Sequence, residues 1–195
     1  NDMIPDSPFP SAYGYDDYGS YNCSGPQMFV HDDVKSAIPF MKKSHAEGKP
    51  FFINLWMHEP HTPFHVDPKL QKLFPDLPEA DNIYAATLYH ADLRIGQLLD
   101  ALDDLKISDQ TLVIFSSDNG PARGSPNSPI ALSYDSATGP GHGIGAAKGI
   151  TGGRRAFKGA LLEGGIGVPF IARWPGKISA GKVDKTSVLS AVDLL

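Results

Sequence analysis

The hydrophobic positions along the chain predict helices that alternate with strands. Residues 32–46 carry apolar side chains at helical spacing behind an acidic start, and Gly48 fits the end of this helix. Pro39 lies inside the pattern and is expected to kink or shorten the helix. Residues 81–105 form the strongest predicted helix, with an apolar stripe made by Leu88, Ala91, Leu93, Ile95, Leu98, Leu99 and Leu102.

Three apolar runs have the length and composition of strands, at residues 50–57, 111–117 and 167–175. Their continuous apolarity predicts strands that are buried on both faces, which is typical of parallel sheets. The order of strand, helix and strand therefore predicts an α/β fold with a mostly parallel sheet flanked by helices.

The segments between these elements are predicted to be loops. Residues 1–30 show no periodicity and are expected to be irregular, residues 58–68 contain three prolines, and residues 118–157 are expected to form one long loop. All 195 residues are assigned to part of a single domain, with an α/β core over residues 31–195.

Composition narrows the class of protein. With 195 residues, of which 41% are hydrophobic and 20% charged, the chain can build one core and is not intrinsically disordered. No apolar run reaches the ~20 residues of a membrane span. One cysteine excludes a disulfide framework and a multi-thiolate zinc site.

Charge is unevenly distributed. The net charge of −5 argues against a nucleic-acid partner. Residues 121–162 nevertheless carry five basic side chains and one acidic side chain, together with nine of the 20 glycines. A basic, glycine-rich segment of this kind suits an anionic ligand.

Polar clusters follow the predicted strands, where ligands bind in open α/β sheets. The first cluster is Ser117-Asp118-Asn119-Gly120. Asp118 and Asn119 offer the oxygen ligands that Ca²⁺ or Mg²⁺ prefers. An Asp-Asn-Gly sequence is also a favourable turn, so it is compatible with a purely structural role.

The second cluster contains His58, His61 and His65. These histidines can bind a metal or transfer protons, although Pro60 and Pro63 exclude the helical zinc-protease motif. Any single one of them is more often a hydrogen-bonded loop residue than a functional one.

The third cluster spans residues 152–165 and contains Arg154, Arg155 and Lys158 among glycines. Its spacing matches neither a P-loop nor a dinucleotide fingerprint, and a solvated basic loop is the alternative interpretation. Together, the three clusters predict metal-assisted attack on an anionic ester.

Four segments of the chain resemble the sulfatase family, which belongs to the alkaline phosphatase-like α/β superfamily. An apolar strand runs into Pro-His-x-Pro at residues 50–64, and a helix and strand end in Ser-Asp-Asn-Gly at residues 92–121. A Lys-Gly-x-x-x-Glu-Gly-Gly-Ile-x-Val-Pro segment lies within residues 157–178, and VLSAVDLL follows at residues 188–195.

The resemblance implies a sulfuric ester hydrolase that uses one divalent metal, usually Ca²⁺. Asp118 and Asn119 match two metal ligands of the family, His61 matches the histidine near the leaving-group oxygen, and Lys158 matches the lysine that contacts the sulfate. His142 is a further candidate for a substrate contact. The resemblance also implies a periplasmic or secreted parent protein.

The chain departs from the family pattern in three places. The family nucleophile is a formylglycine made from the first residue of Cys-x-Pro-Ser-Arg, and the residues after Cys23 do not match that motif. The early Asp-Asp metal pair is absent, and Gly167 stands where many members have arginine. The chain is therefore expected to be an internal fragment of a sulfatase, inactive alone and binding Ca²⁺ weakly or not at all.

Two other functions are kept as alternatives. One is a phosphodiesterase or phosphonate hydrolase of the same superfamily, and the other is a non-catalytic module that binds sulfated glycans. For the sulfatase, the expected partner is a small-molecule or glycan sulfate ester, with no nucleic acid and no membrane span.

Overall fold

A computed structural model describes residues 8–19, 33–125, 127–136, 139–190 and 193. The helices are α1 (Asp33–Ala46), α2 (Pro68–Gln71), α3 (Glu79–Asp104) and α4 (Glu163–Ile166). The strands are β1 (Phe64–His65), β2 (Val113–Ser116), β3 (Ala131–Ser136), β4 (Gly139–His142) and β5 (Phe170–Arg173). Short 3₁₀ turns cover Pro10–Tyr13, Ser108–Gln110 and Ile144–Ala146.

The two long helices form where the apolar periodicity predicts them. Helix α1 ends before Gly48, whose φ of 66° places it in the left-handed region that favours glycine. The expected shortening at Pro39 does not occur, because α1 continues through it. Pro39 lies on the exposed face, where water can replace the hydrogen bond that proline removes.

The strands that the structure describes pair in two small antiparallel sheets, so the predicted mostly parallel sheet is not confirmed. One sheet has the order β1-β4-β3, and the other pairs β2 with β5, with Val113 opposite Arg173 and Ser116 opposite Phe170. Burial on both faces is also wrong for β2 and β5, since Phe115 is 43% exposed and Ile171 is 58% exposed. Apolarity identified these strands but did not determine their direction.

Residues 50–57 do not form the predicted strand. They run without regular secondary structure, and their exposure alternates. Phe52 is 74% and Trp56 82% exposed, while Phe51 and Ile53 pack against the core. A strand requires hydrogen bonds to a neighbouring strand, and no described strand pairs with this segment.

The predicted long loop at residues 118–157 contains structure of its own. Strands β3 and β4 and the turn Ile144–Ala146 lie within it. Strand β4 has the sequence Gly-Pro-Gly-His, which carries no strand-forming pattern, so the sequence could not reveal it. At the start of the chain the described residues hold only the turn Pro10–Tyr13, while Cys23 lies outside the described residues.

Helix α3 connects two hydrophobic cores. Its first half packs Ile83 and Ala86 against Phe64, Val66 and Ala146. Its second half packs Ala101 and Leu102 against Met41 and Ile107. The loops that carry His61 and the segment around residue 146 are thereby fixed at the same end of α3. None of the described helices is long and apolar enough to cross a membrane.

Candidate functional site

The Ser-Asp-Asn-Gly turn directly follows β2 and exposes its acidic side chain. The Asn119 amide donates a hydrogen bond of 2.6 Å to the Asp118 carboxylate, and the Ser117 hydroxyl donates to the Asn119 carbonyl at 3.0 Å. Asp118 is exposed, while Asn119 is half-buried. The turn therefore presents a carboxylate and an amide side by side at the end of the strand.

The glycine-rich basic segment is joined to this turn by main-chain hydrogen bonds. The Gly120 N–H donates to the Gly165 carbonyl at 2.8 Å, and the Lys158 N–H donates to the Pro121 carbonyl at 3.0 Å. Residues 118–121 and 158–165 thus form one interlocked unit, although 36 residues separate them in sequence.

Glycine is required where these two segments meet. A Cβ atom on Gly120 would overlap the carbonyl oxygen of Gly164, and a Cβ atom on Gly164 would overlap that of Ala156. Both glycines are buried. Because no side chain fits at these positions, the backbones approach closely enough to set the main chain of Lys158 beside the Asp-Asn turn.

Lys158 itself is exposed and makes no ion pair with any residue in the described part of the chain. Just before it, the Phe157 ring lies under the Arg123 guanidinium, 4.9 Å from ring centroid to Cζ. This cation–π contact adds a third attachment between the two segments. The arrangement leaves the Lys158 ammonium available to an anion.

The three histidines of the loop, which the sequence does not distinguish, differ in their exposure. His58 is 5% exposed and His65 is 1% exposed, whereas His61 is exposed. The His61 Nδ1 lies 2.5 Å from the Thr62 carbonyl oxygen. A carbonyl only accepts, so Nδ1 carries the proton of the neutral ring and Nε2 is left as the basic nitrogen. His61 is therefore the histidine of this loop that is best placed to exchange protons.

The Pro-His loop packs on Tyr84 of α3, and the Asp-Asn turn lies near the same tyrosine by way of Gly149. Phe64 packs edge-to-face on Tyr84 with ring centroids 5.8 Å apart. A Cβ atom on Gly149 would lie 3.0 Å from the Tyr84 hydroxyl and 2.5 Å from the Pro121 Cβ. Both loops are thus anchored at the same part of the molecule. No hydrogen bond joins His61 to Asp118, Asn119 or Lys158 among the described residues.

His142 lies in β4, directly opposite Phe64 of β1, and is half-buried. The pairing of β1 with β4 places it on the strand next to the histidine loop. The structure therefore brings His142 to the sheet that carries His65, and its role as a substrate contact stays a prediction.

The oxygen donors of the turn are of the kind that a hard divalent cation prefers, but there are too few of them to complete its coordination. Ca²⁺ takes six to eight oxygen ligands, and the turn offers Asp118 and Asn119. Among the described residues, no group of three or more His, Cys, Asp or Glu side chains is placed to hold a metal. The two-ligand half-site therefore stays a prediction, and the described residues alone do not complete it.

His58 gives a first testable prediction. Burial lowers the pKa of His58, and this effect outweighs the Pro63 carbonyl and the Glu59 carboxylate, which raise it. The unfolded chain then binds more protons than the folded one just below pH 6.5, so stability falls as the pH falls through that range. We expect the melting temperature of the chain to drop between pH 7 and pH 5.

The variant His58→Gln should weaken this pH dependence, as measured by thermal unfolding followed by circular dichroism. His45→Gln, at an exposed position in α1, is the matched control and should leave the dependence unchanged. A pH dependence that is identical in His58→Gln and in the wild-type chain would exclude His58 as its source.

Sequence reasoning missed Arg123, Lys148 and Tyr84 at this end of the molecule. The positive charge of residues 121–162 was a signal for the two basic residues, but their positions depend on strands β3 and β4, which the pattern did not show. Tyr84 stood in the predicted helix without any feature to distinguish it.

Comparison with known proteins gives one consistent result. A family model described as Sulfatase matches residues 2–195. Arylsulfatase G of Rattus norvegicus is 30% identical over 161 residues, which cover 83% of this chain and 28% of that protein. N-acetylgalactosamine-6-sulfatase of Canis lupus familiaris is 31% identical over 156 residues, covering 77% and 24%. The chain thus spans about a quarter of the length of these curated relatives.

Two solved structures are similar as well. Ps i-CgsB in complex with k-i-k-neocarrahexaose aligns with a TM-score of 0.59 at 31% identity, over 76% of this chain and 28% of that one. The PsFucS1 sulfatase from Pseudoalteromonas sp. aligns with a TM-score of 0.54 at 28% identity, over 76% and 25%. These neighbours support the alkaline phosphatase-like fold, although all pairs among the described strands are antiparallel.

Proposed function

Because this chain belongs to the sulfatase family, we propose that the full-length protein containing it hydrolyses sulfate esters and that the interlocked residues 118–121 and 158–165 supply part of the active site. The relatives are themselves named as sulfatases, which supports this reaction class. In the overall reaction, the bond between sulfur and the ester oxygen breaks, water supplies the oxygen that replaces it, and an alcohol and inorganic sulfate leave.

One observation carries the proposal. The hydrogen bond from the Lys158 N–H to the Pro121 carbonyl, with that from the Gly120 N–H to the Gly165 carbonyl, holds the backbone of Lys158 next to the turn that carries the carboxylate–amide pair. An anionic ester needs a cation to neutralise its oxygens, and a turn of hard oxygen donors can hold a second cation. The two segments are far apart in sequence, and their main-chain contacts support a shared site.

Lys158 is assigned to the sulfate. Its exposed ammonium can donate charge-assisted hydrogen bonds to the sulfuryl oxygens, and those bonds strengthen as negative charge develops during cleavage. A lysine in a solvated loop would stabilise the sulfuryl oxygens only weakly. The backbone anchoring at Pro121 fixes the main chain of residue 158, so the ammonium can reach only positions within one side-chain length of that point.

His61 is assigned to the leaving group. In its protonated form the imidazolium can give the Nε2 proton to the ester oxygen as the sulfur–oxygen bond breaks, which leaves a neutral alcohol and a neutral ring. The contact of Nδ1 with the Thr62 carbonyl orients the ring and designates Nε2 as the donor. Proton donation by a positioned side chain is worth about 10²- to 10⁴-fold in rate.

Asp118 and Asn119 are proposed as two ligands of a divalent cation, most simply Ca²⁺, whose other ligands lie outside the described residues. When bound, such a cation withdraws charge from the sulfate. The nucleophile is proposed to be a formylglycine outside this chain, since Cys23 does not stand in the family motif. This division of the site predicts that the 195-residue chain alone does not turn over a sulfate ester.

The substrate is proposed to be a small-molecule or glycan sulfate ester. One relative is named for N-acetylgalactosamine-6-sulfate chemistry, and one structural neighbour was solved with the oligosaccharide k-i-k-neocarrahexaose. Both descriptions concern those proteins. They favour a sulfated sugar as the first class to be examined with this protein.

A substrate panel tests the proposal. The full-length protein is incubated with a nitrophenyl sulfate, the matching phosphate monoester and a bis-nitrophenyl phosphate, and nitrophenol is measured together with the inorganic ion. We expect sulfate release to exceed phosphate release by more than about 100-fold in kcat/KM, a discrimination of about 3 kcal/mol. Preferential cleavage of the phosphodiester would instead establish the phosphodiesterase alternative.

A further inference from the structure

An open cavity of about 650 Å³ lies next to the interlocked segments and is not used by the proposed mechanism. Its walls come from the chain after the Asp-Asn turn, from the turn at residues 144–148 and from the start of α3. The volume falls within the range of sites for ligands the size of a sugar. The cavity is therefore large enough for a substrate group beyond the ester itself.

Two basic side chains, Arg123 and Lys148, line this cavity together with the hydroxyls of Ser125 and Ser128. The two hydroxyl oxygens are 3.1 Å apart, and the Ser125 N–H donates to the Ser128 hydroxyl at 2.9 Å. Guanidinium, ammonium and hydroxyl groups are all donors to an oxyanion. The lining thus has the chemistry of an anion site.

The walls are held by close backbone packing. A Cβ atom on Gly124 would lie 2.5 Å from the Ile144 carbonyl oxygen, and a Cβ atom on Gly145 would overlap the Ser128 carbonyl oxygen. The Gly145 N–H donates to the Pro129 carbonyl at 3.0 Å. Because side chains are excluded at both glycines, the two walls keep a defined separation.

Both basic residues are restrained. The Arg123 guanidinium lies over the Phe157 ring at 4.9 Å, and the Lys148 ammonium lies 3.5 Å from the Asp81 carboxylate. Asp81 is the acidic group that opposes an anion here, and it is 42% exposed, so water screens its charge. The second basic residue leaves the lining with an excess of positive charge.

The cavity lining is linked to Lys158 through neighbouring residues. Arg123 follows Pro121 by two residues, and the Pro121 carbonyl accepts the hydrogen bond from the Lys158 N–H. Phe157, which supports Arg123, directly precedes Lys158. An anion in the cavity and an ester at Lys158 would therefore belong to neighbouring parts of one molecule.

We propose that the cavity between Arg123 and Lys148 binds a second anionic group of the substrate, a sulfate or carboxylate on the sugar next to the ester that is cleaved. This inference rests on the proposed function, and it makes the enzyme selective for polyanionic glycans over simple sulfate esters. Arg123 and Lys148 are specificity-determining residues in this proposal, not catalytic ones.

The test compares kcat/KM of the full-length protein for a disulfated disaccharide with that for a nitrophenyl sulfate. The ratio of the two constants should fall about 5- to 10-fold in Lys148→Gln and in Arg123→Gln, as expected for the loss of one charge-assisted contact. Asp81→Asn should raise the ratio about twofold, because it removes the opposing charge. Lys177→Gln, in an exposed turn after β5, is the control and should leave the ratio unchanged.

A disaccharide with one sulfate and one carboxylate distinguishes the two kinds of anion. The inference would be overturned if Lys148→Gln and Arg123→Gln lowered kcat/KM equally for the disulfated disaccharide and the nitrophenyl sulfate, so that the ratio did not change. A lower ratio in Asp81→Asn would also overturn it. If the wild-type protein hydrolyses neither ester, the proposed function fails, and titration calorimetry with the disulfated disaccharide tests the cavity directly. Binding that weakens in Lys148→Gln but not in Lys177→Gln would then support it, and equal binding by the two variants would refute it.

Discussion

Replacing Lys158 by alanine in the full-length protein is expected to lower kcat for a sulfate ester by about 100- to 1,000-fold, the usual cost of removing one preorganised donor to developing negative charge. The backbone N–H of residue 158, which holds the loop to Pro121, is kept in this variant. The loss therefore reports the ammonium and not the fold. The measurement is steady-state release of inorganic sulfate.

Two further variants make this expectation specific. Lys158→Arg keeps the charge but changes its geometry, so it should recover part of the lost rate. Lys177→Ala removes another exposed lysine elsewhere and should retain the wild-type rate. If Lys158→Ala and Lys177→Ala behave alike, Lys158 belongs to a solvated loop and has no role at the sulfate.

Replacing His61 by alanine is expected to lower kcat/KM most for esters whose alcohol is a poor leaving group. A protonated imidazole helps departure only when the leaving oxygen needs a proton, and its contribution then is about 10²- to 10⁴-fold. For a nitrophenyl sulfate, whose leaving group departs readily as an anion, the loss should be much smaller. The measurement is a plot of log kcat/KM against leaving-group pKa for the wild-type protein and the variant.

The slope of that plot should be steeper in His61→Ala than in the wild-type protein. His65→Ala is not a suitable control because His65 is buried in the core. His45→Ala, on the exposed surface of α1, serves instead. Parallel lines for the wild-type protein and His61→Ala would assign proton donation to another group.

The sequence predicted the elements of this fold that are encoded locally. Helices α1 and α3 follow from apolar spacing, and β2 and β5 follow from short apolar runs. Strand direction was not predictable in the same way, because it depends on which neighbour a strand finds. Residues 50–57 have an apolar run as strong as that of β2, yet no described strand pairs with them.

The sequence predicted which residues belong to the candidate site, but it did not predict how they are arranged in space. Asp118, Asn119 and Lys158 were selected from the sequence by chemistry and by resemblance, and the role of each stays a prediction. Their juxtaposition depends on the buried glycines at positions 120 and 164, where backbone meets backbone across a long sequence separation. A pattern of apolar and polar residues does not predict close backbone contacts of this kind.

Packing distinguishes three histidines that look alike in the sequence. In the sequence His58, His61 and His65 are three similar residues in one proline-rich loop. The packing of Phe64 and Val66 against α3 buries His65, and His58 is buried with a hydrogen-bonding distance of 3.0 Å to Pro63. His61 is left exposed. Resemblance to a family selected His61, and burial independently separates it from the other two.

The central claim is that the Asp-Asn turn and Lys158 act as one site, and a double-mutant cycle tests it most directly. Asp118→Asn, Lys158→Ala and the double variant of the full-length protein are compared by kcat/KM for a sulfate ester. Residues that act as a unit are strongly non-additive, so the second substitution should cost much less than it costs alone. If the double variant instead loses the product of the two separate losses to within about twofold, the two segments act independently and the claim is contradicted.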